Sequence, residues 1–332
     1  MKVYYWAADT SGCSYYRCVL PAQGLAQRGH DVFASTEMPD EWRDTADVIV
    51  GQRVCLPGPT VRWQALAREG RAKLVLEIDD DLFNIHPSSK KAAAFFAIPE
   101  IRDNLAANLR VADVVTVTTE HLAEEMAVYN PNVVVLPNCV PAALLEHTPT
   151  RREDVVTIGW GGTETHQIDW SGPDERVARF IARNPGTEMH VIGGWLPPVL
   201  ASRLPADRHR VTGWYRSVDA LHRGIDFHIG VIPLRDNTFN RSKSSVKFTE
   251  LAALGIPTVA SDVGPYAADM RHEVTGLMVG KPTDWARHLG ALVADEALRD
   301  AIGKAAKDWA ATRTIERNAL MWEHAYDGTI AP

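Results

Sequence analysis

The chain has 332 residues, 45% hydrophobic and 23% charged, the balance of a globular protein with room for two domains of ordinary size. No run approaches the roughly 18 apolar residues of a membrane span, and the opening MKVYYWAADT has too short an apolar stretch for a signal-peptide core. The expectation is a protein of the cytoplasm, or of the host cytoplasm if phage-encoded. Net charge is −7, with 13 basic against 19 acidic residues in 1–148 and 22 against 23 in the rest. The acidic first part is a poor surface for non-specific nucleic-acid binding. Cys13, Cys18, Cys55 and Cys139 form no CxxC pair and have no His at metal spacing, so they read as reduced thiols.

In chain order, apolar runs at 2–8, 31–36, 47–52, 73–78, 114–119 and 133–137 predict strands buried on both faces of a parallel sheet. Between them lie helical patterns such as 98–112, with Ile98, Ile101, Leu105, Leu109 and Ala112 at spacings of three and four. The segment 137–154, with three Pro and a charged cluster, reads as an interdomain connection. Strand patterns resume at 155–160, 188–194, 209–214, 227–234, 257–263 and 277–280, with helices at 244–254, 283–294 and 296–311. The fold class is therefore α/β, with two Rossmann-like, doubly wound parallel-sheet domains at 1–145 and 146–313. A last helix at 314–326 either covers its own sheet or returns to the first domain, and the pattern leaves both open.

Ligands of open α/β sheets bind at the carboxyl ends of strands, so the loops there are the candidates for chemistry. In DTSGCSYYR (9–17), Gly12 allows a tight turn and Ser11 and Ser14 precede a helix; Tyr15, Tyr16 and Arg17 either face a substrate or lie partly buried. The loop is not GxGxxG, which disfavours a nicotinamide-dependent oxidoreductase. EIDDDLFNIHP (77–87) offers Asp79, Asp80 and Asp81 for a metal, for substrate hydroxyls or for helix capping, with His86 close by as base or donor. Consecutive residues leaving a strand point apart, so no metal site is expected, and Asp79 and Asp80 are the catalytic candidates. GWGGTETH (159–166) is a weak anion cradle through Gly161, Gly162 and Thr163. The strongest signal is PLRDNTFNRSKSSVKFTELAALGIPTVAS (233–261). Ser242 reads as a helix N-cap, and Lys243, Lys247 and Glu250 as one polar stripe. Cations at that end oppose the helix dipole, a conflict that a bound anion would resolve.

FNRSKSSVKFTELAALGIPTVAS together with GWGGTETH resembles the retaining glycosyl transferases of group 1, the glycogen-synthase-like superfamily with the GT-B fold. GHDV (29–32), EIDDDLF (77–83) and VTGWY (211–215) are similar too. The resemblance implies two domains facing across a cleft, with the acceptor mostly in the first and a nucleotide-sugar donor in the second. By position it implies that Glu250 holds the donor ribose. It likewise sets Lys243, Ser244 and Ser245 beside the donor sugar and phosphate, and Trp214 and Tyr215 beside the nucleobase. Two departures stand out. Ser242 lies where the first acidic residue of the family's pair belongs, and Trp160 with Thr165 or His166 stands near its usual Arg and Lys. Arg241, Lys243 and Lys247 are then the expected diphosphate cations, with Ser242 also against the donor.

The resulting expectation is a glycosyltransferase acting with retention and without a metal, needing no cofactor beyond the nucleotide-sugar co-substrate. Ser11, Gly12, Tyr16, Arg17, Asp81, His86 and His166 are its candidate acceptor or cleft residues. The hydroxyl acceptor is left open between a small molecule, a glycan, a protein and a hydroxymethylated DNA base, the last disfavoured by the acidic first half. A nucleotide-sugar epimerase of the same fold and a non-catalytic two-domain ligand binder are the alternatives.

Overall fold

The computed structural model describes residues 1–329. These residues form two six-stranded sheets, every pairing parallel. The first is built from β1 (Lys2–Trp6), β2 (Asp31–Ser35), β3 (Val48–Gln52), β4 (Lys73–Ile78), β5 (Val114–Val117) and β6 (Val133–Val135). The second holds β7 (Val156–Gly161), β8 (Thr187–Ile192), β9 (His209–Thr212), β10 (Ile229–Ile232), β11 (Thr258–Ser261) and β12 (Leu277–Val279). Several strands stop short of the apolar runs that predict them, because the next residues are taken by caps and turns. Thr119, for example, ends the β5 run by accepting from the Leu122 N–H at the head of the helix Glu120–Met126.

The chain divides into two compact units, one of residues 1–141, 241–244 and 313 onward, the other of 142–240 and 245–312. The expected boundaries were 145/146 and 313/314, and the detour at 241–244 was not foreseen. Its reason is local bonding within the first unit. Thr119 Oγ1 donates to the Ser242 carbonyl at 3.2 Å, Asn138 Nδ2 donates to Ser244 Oγ at 2.9 Å, and Lys243 Nζ lies 3.7 Å from Asp80.

In the first unit the sheet order is β2-β1-β3-β4-β5-β6. Ile49, Leu76, Val115 and Val117 are fully buried at its centre, each such side chain contributing about 1.5–3 kcal/mol of transfer free energy. The last helix, Ile315–Asp327, packs on Leu20–Gln27 in this unit. It approaches so closely that a Cβ on Gly24 would lie 2.7 Å from Ile315, and the hydroxyls of Tyr5 and Tyr326 meet at 3.0 Å. In the second unit the order is β12-β11-β10-β7-β8-β9. Each sheet has one point where the strand order reverses: between β1 and β3 in the first, between β7 and β10 in the second. Loops leaving the two strands at such a point diverge and open a crevice at their carboxyl ends. No helix of the described residues is long and apolar enough to cross a membrane.

Candidate functional site

At the reversal point of the second unit, β7 ends in Gly161 and runs into the short helical turn Glu164–His166. Gly161 has open space where a side chain would stand. Gly162 does not: a Cβ there would come 2.4 Å from the buried Trp160 ring. Gly193, at φ +130°, is pressed against the Gly162 carbonyl, 2.0 Å from where its Cβ would sit. Gly162 is thus required by packing, whereas Gly161 faces a cleft of about 70 Å³. Trp160, Ile192, Trp214, Leu221 and Ile225 supply the apolar walls of that cleft, with Lys247 and Glu250 on its polar side. Trp214 is 59% exposed, an unusual cost for an indole without a partner.

The helix behind these two residues runs Val246–Ala253, shorter than predicted. Ser242 is not its N-cap. That position belongs to Ser245, whose hydroxyl donates to Asp269 and accepts no helix N–H, while Ser242 is buried one turn upstream. Lys243 therefore precedes the helix, pairs with Asp80 in the first unit, and shares no stripe with Lys247 and Glu250. Arg241 is exposed at the end of the turn Thr238–Arg241, and Ser244 is bound by Asn138. Of the basic triplet only Lys247 lines the cleft. Its Nζ lies 2.9 Å from His166 Nε2 and 5.5 Å from the Trp160 ring, and His166 Nδ1 lies 2.8 Å from Asp169. Asp169 also accepts from the Arg235 N–H at 3.0 Å and from Asn240 Nδ2 at 2.7 Å. Burial alone would raise this carboxyl, but the bonds from His166, Arg235 and Asn240 hold it below the usual carboxylate range. Glu250 Oε1 meets His222 Nε2 at 3.0 Å. Tyr215 is half-buried next to Gly224 and does not line the cleft; the neighbouring Trp214 does.

The reversal point of the first unit gathers a second polar cluster. Ser11 caps the turn Gly12–Ser14 by accepting from the Cys13 N–H, and Ser14 bonds Asp9 and Gln52 at 2.9 and 2.6 Å. Arg53, a non-glycine residue in the left-handed region at φ +49°, directs its guanidinium to Asp9 at 2.5 Å and to Asp79 at 3.6 Å. Despite its burial, Asp9 stays below the usual range because Ser11, Arg53 and Ser14 favour the charged form. Asp80 moves the other way, raised by burial and by Asp79 against the pull of Lys243. Asp79 and burial together push the Cys13 thiol far up, so it is no nucleophile.

Three expected cleft residues are corrected here. Arg17 is 1% exposed and bound to Glu77, Leu136 O and Asn138. Tyr16 is buried beside it, and Asp81 is fully buried, accepting from the Phe83 N–H and Asn84 to close its own turn. None of the three presents a surface to a ligand. His86 is taken up in a turn with Ser88 at 2.9 Å. The three aspartates go to three different partner sets, and among the described residues no three His, Cys, Asp or Glu side chains group as cation ligands.

Residues that sequence reasoning missed are Asp9, Gln52, Arg53, Asn138, Asp169, His222 and Asn240. Arg53 was legible as the first residue past β3, and Asp169 as the partner of His166 at i, i+3. Asn138, His222 and Asn240 carry no local signal.

Comparison with known proteins finds likeness in the second unit and in the fold. Residues 174–295, which include Lys247 and Glu250, match the family described as glycosyl transferases group 1. A D-inositol 3-phosphate glycosyltransferase of Streptosporangium roseum is 30% identical over 129 residues, 38% of this chain and 26% of that protein. The chain thus spans about a quarter of the length of the curated relative it matches. Among solved structures, HepE of Anabaena in complex with UDP-glucose superposes with a TM-score of 0.71 at 13% identity, covering 99% of this chain and 100% of that one. Sucrose-phosphate synthase from Thermosynechococcus elongatus does so with a TM-score of 0.68 at 15% identity, covering 98% of each. Both sheets are thus those of the GT-B fold, and residues 174–295 are similar to the glycosyl transferases of group 1.

Proposed function

We propose that the protein is a glycosyltransferase that moves a sugar from a nucleotide-diphosphate sugar to a hydroxyl acceptor, with retention and without a metal. The observation that carries the reading is the cleft at the β7/β10 reversal point. A half-exposed indole, one ammonium and one carboxylate converge there inside the stretch matched by the family. Trp214 offers a flat face to a nucleobase, Glu250 accepts from ribose hydroxyls, and Lys247 meets the diphosphate. Cleavage of the sugar–phosphate bond builds negative charge on the leaving diphosphate, which a fixed ammonium in an apolar cleft stabilises in the transition state. The UDP-glucose complex of a protein with this fold supports a uridine nucleotide as donor.

On the first unit, Gln52 Nε2 is buried without a hydrogen-bond partner, and Asp79 Oδ1 has the Arg53 guanidinium only at 3.6 Å, a donor and an acceptor that an acceptor's hydroxyls would satisfy. Paired use of Asp79 with Arg53 and of Asp80 with Lys243 supports cation-assisted rather than metal-assisted chemistry. The test is release of nucleoside diphosphate from a panel of UDP- and GDP-sugars, with and without polyol, sugar and hydroxymethylated-DNA acceptors. Release that depends on acceptor is expected. Conversion of the sugar with no acceptor present would establish an epimerase instead, and binding without turnover of any donor would establish a ligand binder.

A further inference from the structure

Lys247 is held by a specific relay within the second unit. A lysine ammonium has donors only, so in the 2.9 Å contact His166 Nε2 must be the acceptor. The imidazole is therefore neutral and carries its proton on Nδ1, which it donates to Asp169 Oδ2 at 2.8 Å. Asp169 is 4% exposed and pinned by the Arg235 N–H and Asn240 Nδ2, so the ring is oriented from behind by a fixed carboxylate. The edge of the ring meets Trp160 at 5.9 Å, nearly perpendicular. The charged groups that face it include Lys247 from the helix Val246–Ala253 and Asp169 from its own turn. Behind Asp169 stands the buried hydroxyl of Tyr266, from Pro265–Asp269.

We propose that His166 is a positioning residue: its neutral imidazole, fixed by Asp169, seats the Lys247 ammonium where the leaving diphosphate lies. This rests on the donor reading given above. A long, flexible lysine loses much rotamer freedom when it binds an anion, and a side chain already seated has lost it beforehand. Protonation of His166 turns Nε2 from acceptor to donor and sets two cations against each other, so the seat is lost as the ring titrates.

The experiment is calorimetric titration of the full chain with UDP between pH 5.5 and 8.5, on wild type and three backgrounds, with apo melting temperatures as the folding control. Expected at pH 8 is about a tenfold loss of affinity for His166→Ala, the worth of one charge-assisted contact. His166→Gln should restore affinity to within about twofold, since its amide oxygen accepts from the ammonium as Nε2 does. In a Lys247→Ala background, His166→Ala should change affinity by less than about twofold, the signature of a residue that acts through Lys247. Toward the acid end of the range, wild type should lose affinity relative to His166→Gln; the titration of UDP itself is common to both and cancels. A His166→Ala variant that binds like wild type overturns the proposal. So does an equal loss in the Lys247→Ala background, or parallel pH profiles for wild type and His166→Gln. A wild-type chain that binds no UDP would overturn the donor reading instead, which keeps the two failures distinct.

Discussion

Arg17 and Glu77 form a two-bond ion pair, 2.7 and 3.0 Å, with both side chains 1% exposed. Thr116 adds a third bond to the carboxylate at 2.5 Å, and Leu136 O and Asn138 accept from the guanidinium at 2.6 and 2.9 Å. Asn138 in turn donates to Ser244. The pair therefore ties β4 and the end of β6 to the segment 241–244.

Removing one partner leaves the other charge buried and uncompensated. Glu77→Gln should destabilise the first unit by about 3–5 kcal/mol in urea unfolding at pH 7, whereas Arg17→Met with Glu77→Leu should cost much less. A loss below about 1 kcal/mol for the single variant would show that the guanidinium finds water or another acceptor.

Glu250 meets His222 at the polar side of the cleft. If the carboxylate holds a ribose, Glu250→Gln should lower kcat/KM for the donor by about tenfold or more while leaving the melting temperature nearly unchanged. An unaltered kcat/KM would remove Glu250 from the site.

The two lysines should separate. Lys247→Ala should cost about 2–4 kcal/mol of transition-state stabilisation and reduce, without removing, the melting-temperature rise induced by UDP. Lys243→Ala should lose less, because its ammonium is already engaged by Asp80. Equal losses would mean that Lys243 leaves Asp80 for the diphosphate.

Asp169 sets a pH window. Its folded pKa lies below the unfolded value near 4, so the stability it contributes is complete above that value and is lost as pH falls through the lower folded one. In a His166→Gln background, where the neighbouring ring no longer titrates, the loss of urea midpoint caused by Asp169→Asn should be constant above about pH 5 and shrink below about pH 4. A gap that widens toward acid would reverse the sign of the argument.

Turnover should survive chelation, since Lys247 supplies charge that a cation supplies elsewhere. Loss of activity in EDTA, restored by Mg²⁺ or Mn²⁺, would bring Asp79 and Asp80 back as metal ligands.

Every strand was legible in the sequence, because a central strand buried on both faces is rich in β-branched and apolar residues, as VVTVTT and FHIGVIPL are; β2 and β9, at or near the sheet edges, are the ones not buried on both faces as expected. The resemblance was legible for a related reason. KFTELAALGIPTVAS is one unbroken run of helix, turn and strand, so its residues stay recognisable together. Tertiary structure decided which candidates face a ligand. Arg17 and Lys247 look alike as basic residues near helix starts. Only the folding of Glu77 against the first and of His166 against the second, 60 and 81 residues away, separates a buried strut from a cleft cation. Ion pairs and imidazole relays are formed by groups distant in the chain, and their geometry has no periodicity for a sequence to display. The same holds for segment 241–244. A continuous polar loop in the sequence, it becomes part of the first unit because Thr119, Asn138 and Asp80 hold it there.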